Sequence, residues 1–174
     1  MTTRKPVDSF TIITFSGEVM NWDPVNGGLN QQPAQFEPFP ATEENKNAAI
    51  MYVLDLEANG ATNINADILA ILEVARSVRR GKKLVQGVAC VVVFLSNSEA
   101  TIGEISSSAI KNNVPTANSD LKLPIFSVVF GRGADFSLLQ DISATTDSFT
   151  KCIFKDSNAA LQLENFYSEI SRPC

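Results

Sequence analysis

Two short segments carry most of the side chains with chemical potential: Ser96-Asn97-Ser98-Glu99-Ala100-Thr101 and Gly60-Ala61-Thr62-Asn63-Ile64-Asn65. The first is rich in hydroxyl oxygens and holds one carboxylate, Glu99. The second adds the Thr62 hydroxyl and the amides of Asn63 and Asn65. Oxygen donors suit a hard cation such as Mg²⁺, which takes an octahedral array with at least one carboxylate in it. The same atoms also cap helices and fold turns, and with Glu99 as the one charge the residues alone favour that structural use. Histidine is absent from the whole sequence. Its absence removes Ser-His-Asp and Cys-His catalysis, imidazole metal sites and the usual general base near neutral pH. Gly131-Arg132-Gly133 lacks the third glycine and the helix start of a dinucleotide loop, and no Walker A, GxSxG or paired-carboxylate motif occurs. A small enzyme is the least supported function.

Charge and cysteine content narrow the field further. With 14 basic and 19 acidic residues the formal charge is −5, which argues against nucleic acid and acidic membrane surfaces as partners. The three cysteines, Cys90, Cys152 and Cys174, form no CxxC pair, so neither a disulfide framework nor a zinc site is expected. Cys90, inside Val88-Ala89-Cys90-Val91-Val92-Val93, reads as a small buried hydrophobe. At 174 residues the chain fits one domain, and 44% hydrophobic with 19% charged residues is a globular balance. No apolar stretch follows the Met1-Thr2-Thr3-Arg4-Lys5-Pro6 start, so no signal peptide is expected. The longest apolar run, Val88 to Leu95, falls far short of the roughly 20 residues of a membrane helix.

The elements that must position the two oxygen-rich loops alternate between strand and helix. Phe10 to Phe15 is β-branched and aromatic and predicts a strand, with a weak hairpin partner over Glu18 to Trp22. Asp23 to Pro40, with its prolines and Gly27-Gly28, predicts loop. From Thr42, a candidate N-cap, Ala48, Ala49, Tyr52, Val53 and Leu56 fall on one helical face, and Gly60 ends that helix. A second helix, with Asn65 as candidate cap, turns Ile68, Leu69, Leu72 and Ala75 inward and stops at Arg79-Arg80-Gly81-Lys82-Lys83, a solvated helix end. Val88 to Leu95 predicts a strand buried on both faces. A short helix near Glu104 to Lys111, a strand over Ile125 to Phe130, a helix over Asp135 to Ala144 and a strand at Cys152-Ile153-Phe154 follow. A closing helix from Asp156 or Ser157 is expected to bury Ala159, Ala160, Leu163, Phe166, Tyr167 and Ile170. The alternation predicts a three-layer α/β fold, a mainly parallel sheet with helices on both faces, whose ligands bind at the carboxyl ends of the strands.

Several segments resemble the von Willebrand factor type A domain in the form found in inter-alpha-trypsin inhibitor heavy chains. Phe10 to Ser16 with Val19 and Trp22 is similar to the family's second and third strands. Gly60-Ala61-Thr62-Asn63-Ile64-Asn65 is similar to its GGTNIN loop, and Phe94 to Glu104 to its FLTDGxPTxGE segment. The most specific match is Asp156-Ser157-Asn158-Ala159-Ala160-Leu161-Gln162-Leu163 with Phe166-Tyr167-Ser168-Glu169-Ile170, against DSDAALQLxxFYxEI. The resemblance covers about Asp8 to Pro173. It implies a Rossmann-like type A fold that is N-terminally incomplete, with residues 1–7 as an extension and 8–174 as a partial domain, because the family's first strand and its DxSxS motif have no counterpart. In the relatives that strand lies mid-sheet, so its neighbours must pair with each other or with something else. The family's adhesion site holds a metal through DxSxS, a Thr loop and an Asp. Here only Thr62 keeps its family identity and Asn97 stands where the Asp would be, so the divalent metal site is expected to be lost.

The resemblance implies a non-catalytic interaction module, extracellular and secreted, associated with hyaluronan-rich matrix and protease-inhibitor complexes. Its partners would be a protein ligand or matrix component held by sheet-top loops, and a Kunitz-type inhibitor complex, with no nucleic acid and no membrane span. The degenerate adhesion-site loops, Thr62, Asn63, Ser96, Asn97, Ser98 and Glu99, are the expected binding surface, with no catalytic residue, cofactor or metal ligand. The alternative is an intracellular scaffold with a degenerate, metal-independent type A domain.

Overall fold

A computed structural model describes residues 8–16, 19–24, 28–30, 38–57, 60–80, 90–154 and 156–170. The carboxyl-terminal part is built on three parallel strands, β6 (Val92–Ser96), β7 (Ile125–Phe130) and β8 (Thr150–Ile153), in that order. Val92 pairs with Ile125 and Ser127 with Thr150. Parallel neighbours need crossovers, and α3 (Ser107–Asn118) and α4 (Phe136–Ala144) supply them. Side chains of β7 alternate strictly. Ile125 and Val129 join Val92, Phe94, Ile110, Val114, Leu139 and Ile142 in the larger core, together with Ile64, Ile68 and Leu72 of α2 (Ile64–Arg80). Val128 faces the other way and packs with Ile153 and with Phe166 of α5 (Ala159–Ile170). These are the three expected layers: α2, α3 and α4, then the sheet, then α5. No helix among the described residues is long and apolar enough to cross a membrane.

The amino-terminal part is antiparallel and separate. β2 (Ile13–Phe15) pairs with β3 (Val19–Asp23), and β3 with β4 (Gly28–Asn30); β1 (Ser9–Phe10) pairs with β5 (Phe39–Pro40). An aromatic cluster joins these ribbons to α1 (Glu43–Leu54). Trp22, 4% exposed, stacks on Phe10 at 5.7 Å, meets Phe39 edge-on at 5.5 Å and lies 6.3 Å from Tyr52. The Tyr52 hydroxyl in turn sits 3.0 Å from that of Thr14. No ladder connects β2 to β6. The link between them is a side-chain contact, Phe15 stacked on Phe94 at 5.0 Å.

Several expectations need correction. The strand predicted over Phe10 to Phe15 is two short strands, and Asp23 to Pro40 is not all loop, since β4 and β5 lie within it and Phe39 completes the Trp22 cluster. On α1, Thr42 caps as expected, its Oγ1 accepting from the Asn45 amide at 3.2 Å. Its expected inner face is only half right: Ala49 is buried, but Val53 is 49% and Leu56 41% exposed. The helix ends at Leu54 with Asp55 as cap, before Gly60. β6 begins at Val92, and Val91 and Leu95 are 44% and 37% exposed, so the strand is not buried on both faces. Cys90 is half-buried rather than buried, with burial raising its thiol pKa. Residues 81–89, with Val88 and Ala89 of the predicted strand and Lys82-Lys83 of the basic run, lie outside the described residues, as does Cys174. The helix predicted near Glu104 to Lys111 runs instead from Ser107 to Asn118 and carries Pro115 inside it. Proline there removes the amide that would reach the Lys111 carbonyl. In α5 only Phe166 is buried outright; Ala159, Leu163 and Ile170 are partly buried and Ala160 and Tyr167 are exposed. By contrast, α4 starts one residue after its Asp135 cap and buries Leu138, Leu139 and Ile142 as predicted.

Candidate functional site

The parallel strands all point their carboxyl ends one way, so the segments after β6 and β7 emerge side by side, and the segment before α2 joins them. Thr62 stands at the centre. Its hydroxyl lies 2.7 Å from that of Ser98, its amide donates to Thr101 Oγ1 at 2.8 Å, and its carbonyl accepts from the Thr101 amide at 2.8 Å. Ser96, at the end of β6 and buried, donates its hydroxyl to the Ser98 carbonyl at 3.0 Å. The loops are pinned further by close backbone approach. A Cβ on Gly133 would fall 2.7 Å from the Asn97 backbone carbonyl oxygen, and Gly103, with a φ of +71°, packs against the Asn63 side chain, where a Cβ would fall 2.7 Å from its carboxamide carbon. Glycine at 103 and 133 is thus what lets the three loops meet.

All six predicted site residues therefore lie on or beside one surface, but they do different work. Thr62, Ser96 and Ser98 spend their hydroxyls on the loop framework. Asn63 caps α2, its Oδ1 accepting from the Ala66 amide at 3.1 Å, and so takes the role expected of Asn65. Asn65 sits in the first turn of α2 instead, accepting from Asn113 at 3.3 Å. Asn97 and Glu99 are exposed. This donor set does not fit a hard dication. Its hydroxyls are already paired with one another or with backbone, no group of three or more acidic, Cys or His side chains gathers among the described residues, and Glu104 is turned to the Ser106 amide at 2.8 Å. What the surface offers is hydroxyl, amide and one carboxylate on a shared base, which suits polar recognition.

Sequence reasoning missed Asp67. It lies within the apolar period of α2, three residues after Ile64 and four before Ile71, and is 1% exposed. Neither carboxylate oxygen has a partner at full hydrogen-bond geometry among the described residues. Burial pushes its pKa up to about 7, against a smaller opposing pull from the Asn63 backbone. The available signal was an ionisable residue inside a helical apolar stripe. At the other end of α2 the basic residues are not simply solvated. Arg76 holds Asp120 through two contacts of 3.0 Å, and Arg79 donates to the Asp120 carbonyl at 3.0 Å. That pairing lowers the Asp120 pKa and raises that of Arg76.

No family profile matches the chain. Curated relatives do. It is 30% identical to human inter-alpha-trypsin inhibitor heavy chain H4 over 97% of this chain and 17% of that protein. Its mouse counterpart is 31% identical over 97% of this chain and 16% of its own length, and human heavy chain H6 is 34% identical over 95% and 12%. The chain thus spans about a sixth of the first two relatives' length. Among solved structures, a von Willebrand factor type A protein from Catenulispora acidiphila aligns with a TM-score of 0.65 at 13% identity, covering 95% of this chain and 33% of that one. Proximal thread matrix protein 1 of the mussel byssus aligns at 0.53 and 16% identity, over 90% and 33%. Over nearly its whole length the chain is similar to one stretch of the inter-alpha-trypsin inhibitor heavy chains, and its fold is that of a von Willebrand factor type A domain.

Proposed function

We infer that this chain is a non-catalytic recognition module of an extracellular, heavy-chain-like protein, holding a matrix or protein partner on the loops above the parallel sheet without a bridging metal ion. The observation that carries this reading is the convergence of the Thr62 loop, the Asn97-Ser98 loop and the Gly133 loop on one base, with exposed Asn97 and Glu99 presented from it. Amides and hydroxyls on a rigid platform suit the hydroxyls and amides of hyaluronan or the backbone of a protein partner such as a Kunitz-type inhibitor. The relatives' names favour a protease-inhibitor setting, and the resemblance favours matrix and secretion.

The test is surface plasmon resonance of the chain over immobilised hyaluronan and over a Kunitz-domain inhibitor, with and without EDTA. Binding to one of them that survives EDTA and weakens by about tenfold in an Asn97→Ala, Glu99→Gln variant is the expected result. Binding abolished by EDTA, or indifferent to the loop variant, would overturn the reading. Calorimetric titration with Mg²⁺ and Mn²⁺ is expected to be flat. Saturable binding below about millimolar that Thr62→Ala removes would restore the family's metal site.

A further inference from the structure

Helix α1 wears its apolar side chains outward. Ile50, Met51, Val53 and Leu54 are 56%, 59%, 49% and 72% exposed, while the residues that meet the rest of the fold are Ala49, which is buried, and Tyr52, held by Thr14 and Trp22. Spaced at i, i+1, i+3 and i+4, the four large residues share one side of the helix. Single exposed hydrophobics are ordinary; a contiguous helical stripe of them marks an interaction surface. The stripe is bordered mainly by carboxylates. Glu43 and Glu44 open the helix, Asp55 and Glu57 follow its end, and all four are exposed; the one cation is Lys46, already paired with Glu43 at 2.9 Å. An apolar helix face framed by carboxylates fits a helix of the opposite frame, and it repels a second copy of itself in a chain of formal charge −5.

We propose that the outward face of α1 is a docking site for a basic amphipathic helix, whose apolar stripe lies on Ile50, Met51 and Leu54 and whose flanking Lys or Arg side chains pair with Glu44, Asp55 and Glu57. This surface is distinct from the sheet-top loops and stands or falls without them. It uses the helix-on-helix mode, in which burial of the stripe supplies affinity and the charged frame selects the partner.

The probe is a designed Leu/Lys helical peptide of about five turns, compared with a Leu/Glu peptide of the same pattern, titrated into the 174-residue chain by fluorescence anisotropy. The Leu/Lys peptide is expected to bind at least about tenfold more tightly than the Leu/Glu one, and a Met51→Ser, Leu54→Ser variant to lose about tenfold or more. A Glu44→Gln, Asp55→Asn, Glu57→Gln variant, which touches no apolar residue and keeps the test open should the serine pair disturb folding, is expected to weaken the Leu/Lys complex and flatten its salt dependence. Equal affinity for the two peptides, Leu/Lys binding indifferent to both variants, or a dimer in sedimentation velocity that the serine pair dissolves would each overturn the proposal, the last by making a second copy the occupant.

Discussion

In the half that runs from β6 to α5, Ile125, Val128, Leu139, Ile142, Ile153 and Phe166 have no measurable exposure. In the half that runs from β1 to α1, the buried residues among those described are Asn21, Trp22 and Ala49 alone. The difference follows from connectivity. Parallel strands force helical crossovers, and each crossover lays an amphipathic helix on the sheet, so the aliphatic core closes in layers. Antiparallel ribbons need no such cover, and here one indole ring gathers Phe10, Phe39 and Tyr52 about itself where a layer of aliphatics would otherwise be needed. The first arrangement yields a rigid base for loops. The second leaves α1 half-used, with its apolar residues free for a partner.

The contrast is broken most directly in the layered half. Phe166 is fully buried, with Phe149 at 5.6 Å, Tyr167 at 5.6 Å and Phe126 at 6.5 Å, each edge-on. Phe166→Ala is expected to lower stability by about 3–5 kcal/mol, read as a shift of the urea midpoint at constant slope. An unchanged midpoint would mean that α5 is not docked on the sheet.

Asp67 sharpens the contrast from inside the core. Its pKa stands at about 7 in the fold against 3.8 ordinarily. Between those two values the folded state therefore holds a proton that the unfolded state releases, so the contribution of Asp67 to stability is fully present below about pH 4 and is lost as pH rises toward 7. Asp67→Asn is expected to flatten that fall and to stabilise the chain at pH 8 by about 1–3 kcal/mol, since a buried unpaired charge is removed. Parallel pH profiles for the two proteins would show that the carboxylate finds a partner in solution.

How much of this was legible depended on how local each cause is. The helix α4 could be read because its cap, Asp135, and its apolar period, Leu138, Leu139 and Ile142, lie within eight residues of one another. That the loops after β6 and β7 share one edge was legible because carboxyl ends of parallel strands must do so, whereas the Thr62 loop follows a helix, and its place beside them was implied by its resemblance to the family's GGTNIN loop. By contrast, β4 and β5 were hidden, because their pairing depends on partners elsewhere in the chain and their own segment reads as proline-rich loop. Pro115 masked the second half of α3, whose burial of Val114 outweighs one lost amide. Asp67 was missed because one carboxylate hardly alters the apolar period around it, although its environment decides its chemistry.

At the loops the expected effect is smaller. Thr62→Ala removes the 2.7 Å contact with Ser98 but leaves the backbone pairing with Thr101 intact. A net loss of about 0.5–1.5 kcal/mol is expected in thermal or urea unfolding. A larger loss would give Thr62 a role beyond the framework.

The smallest effect tests the comparison with a single residue type. Leu139 is fully buried in the layered half, and Leu54 is 72% exposed on α1. Leucine and alanine have nearly equal helix propensity, so in each helix the exchange reads packing and little else. Leu139→Ala creates a cavity and is expected to destabilise by about 2–5 kcal/mol. Leu54→Ala removes side-chain atoms already in water and is expected to stay within about 0.5 kcal/mol of the parent in urea unfolding. A cost for Leu54→Ala near that for Leu139→Ala would mean that the outer face of α1 is covered in the folded chain in solution. The antiparallel half would then have a closed core of its own, and the apolar stripe would no longer be available to a partner helix.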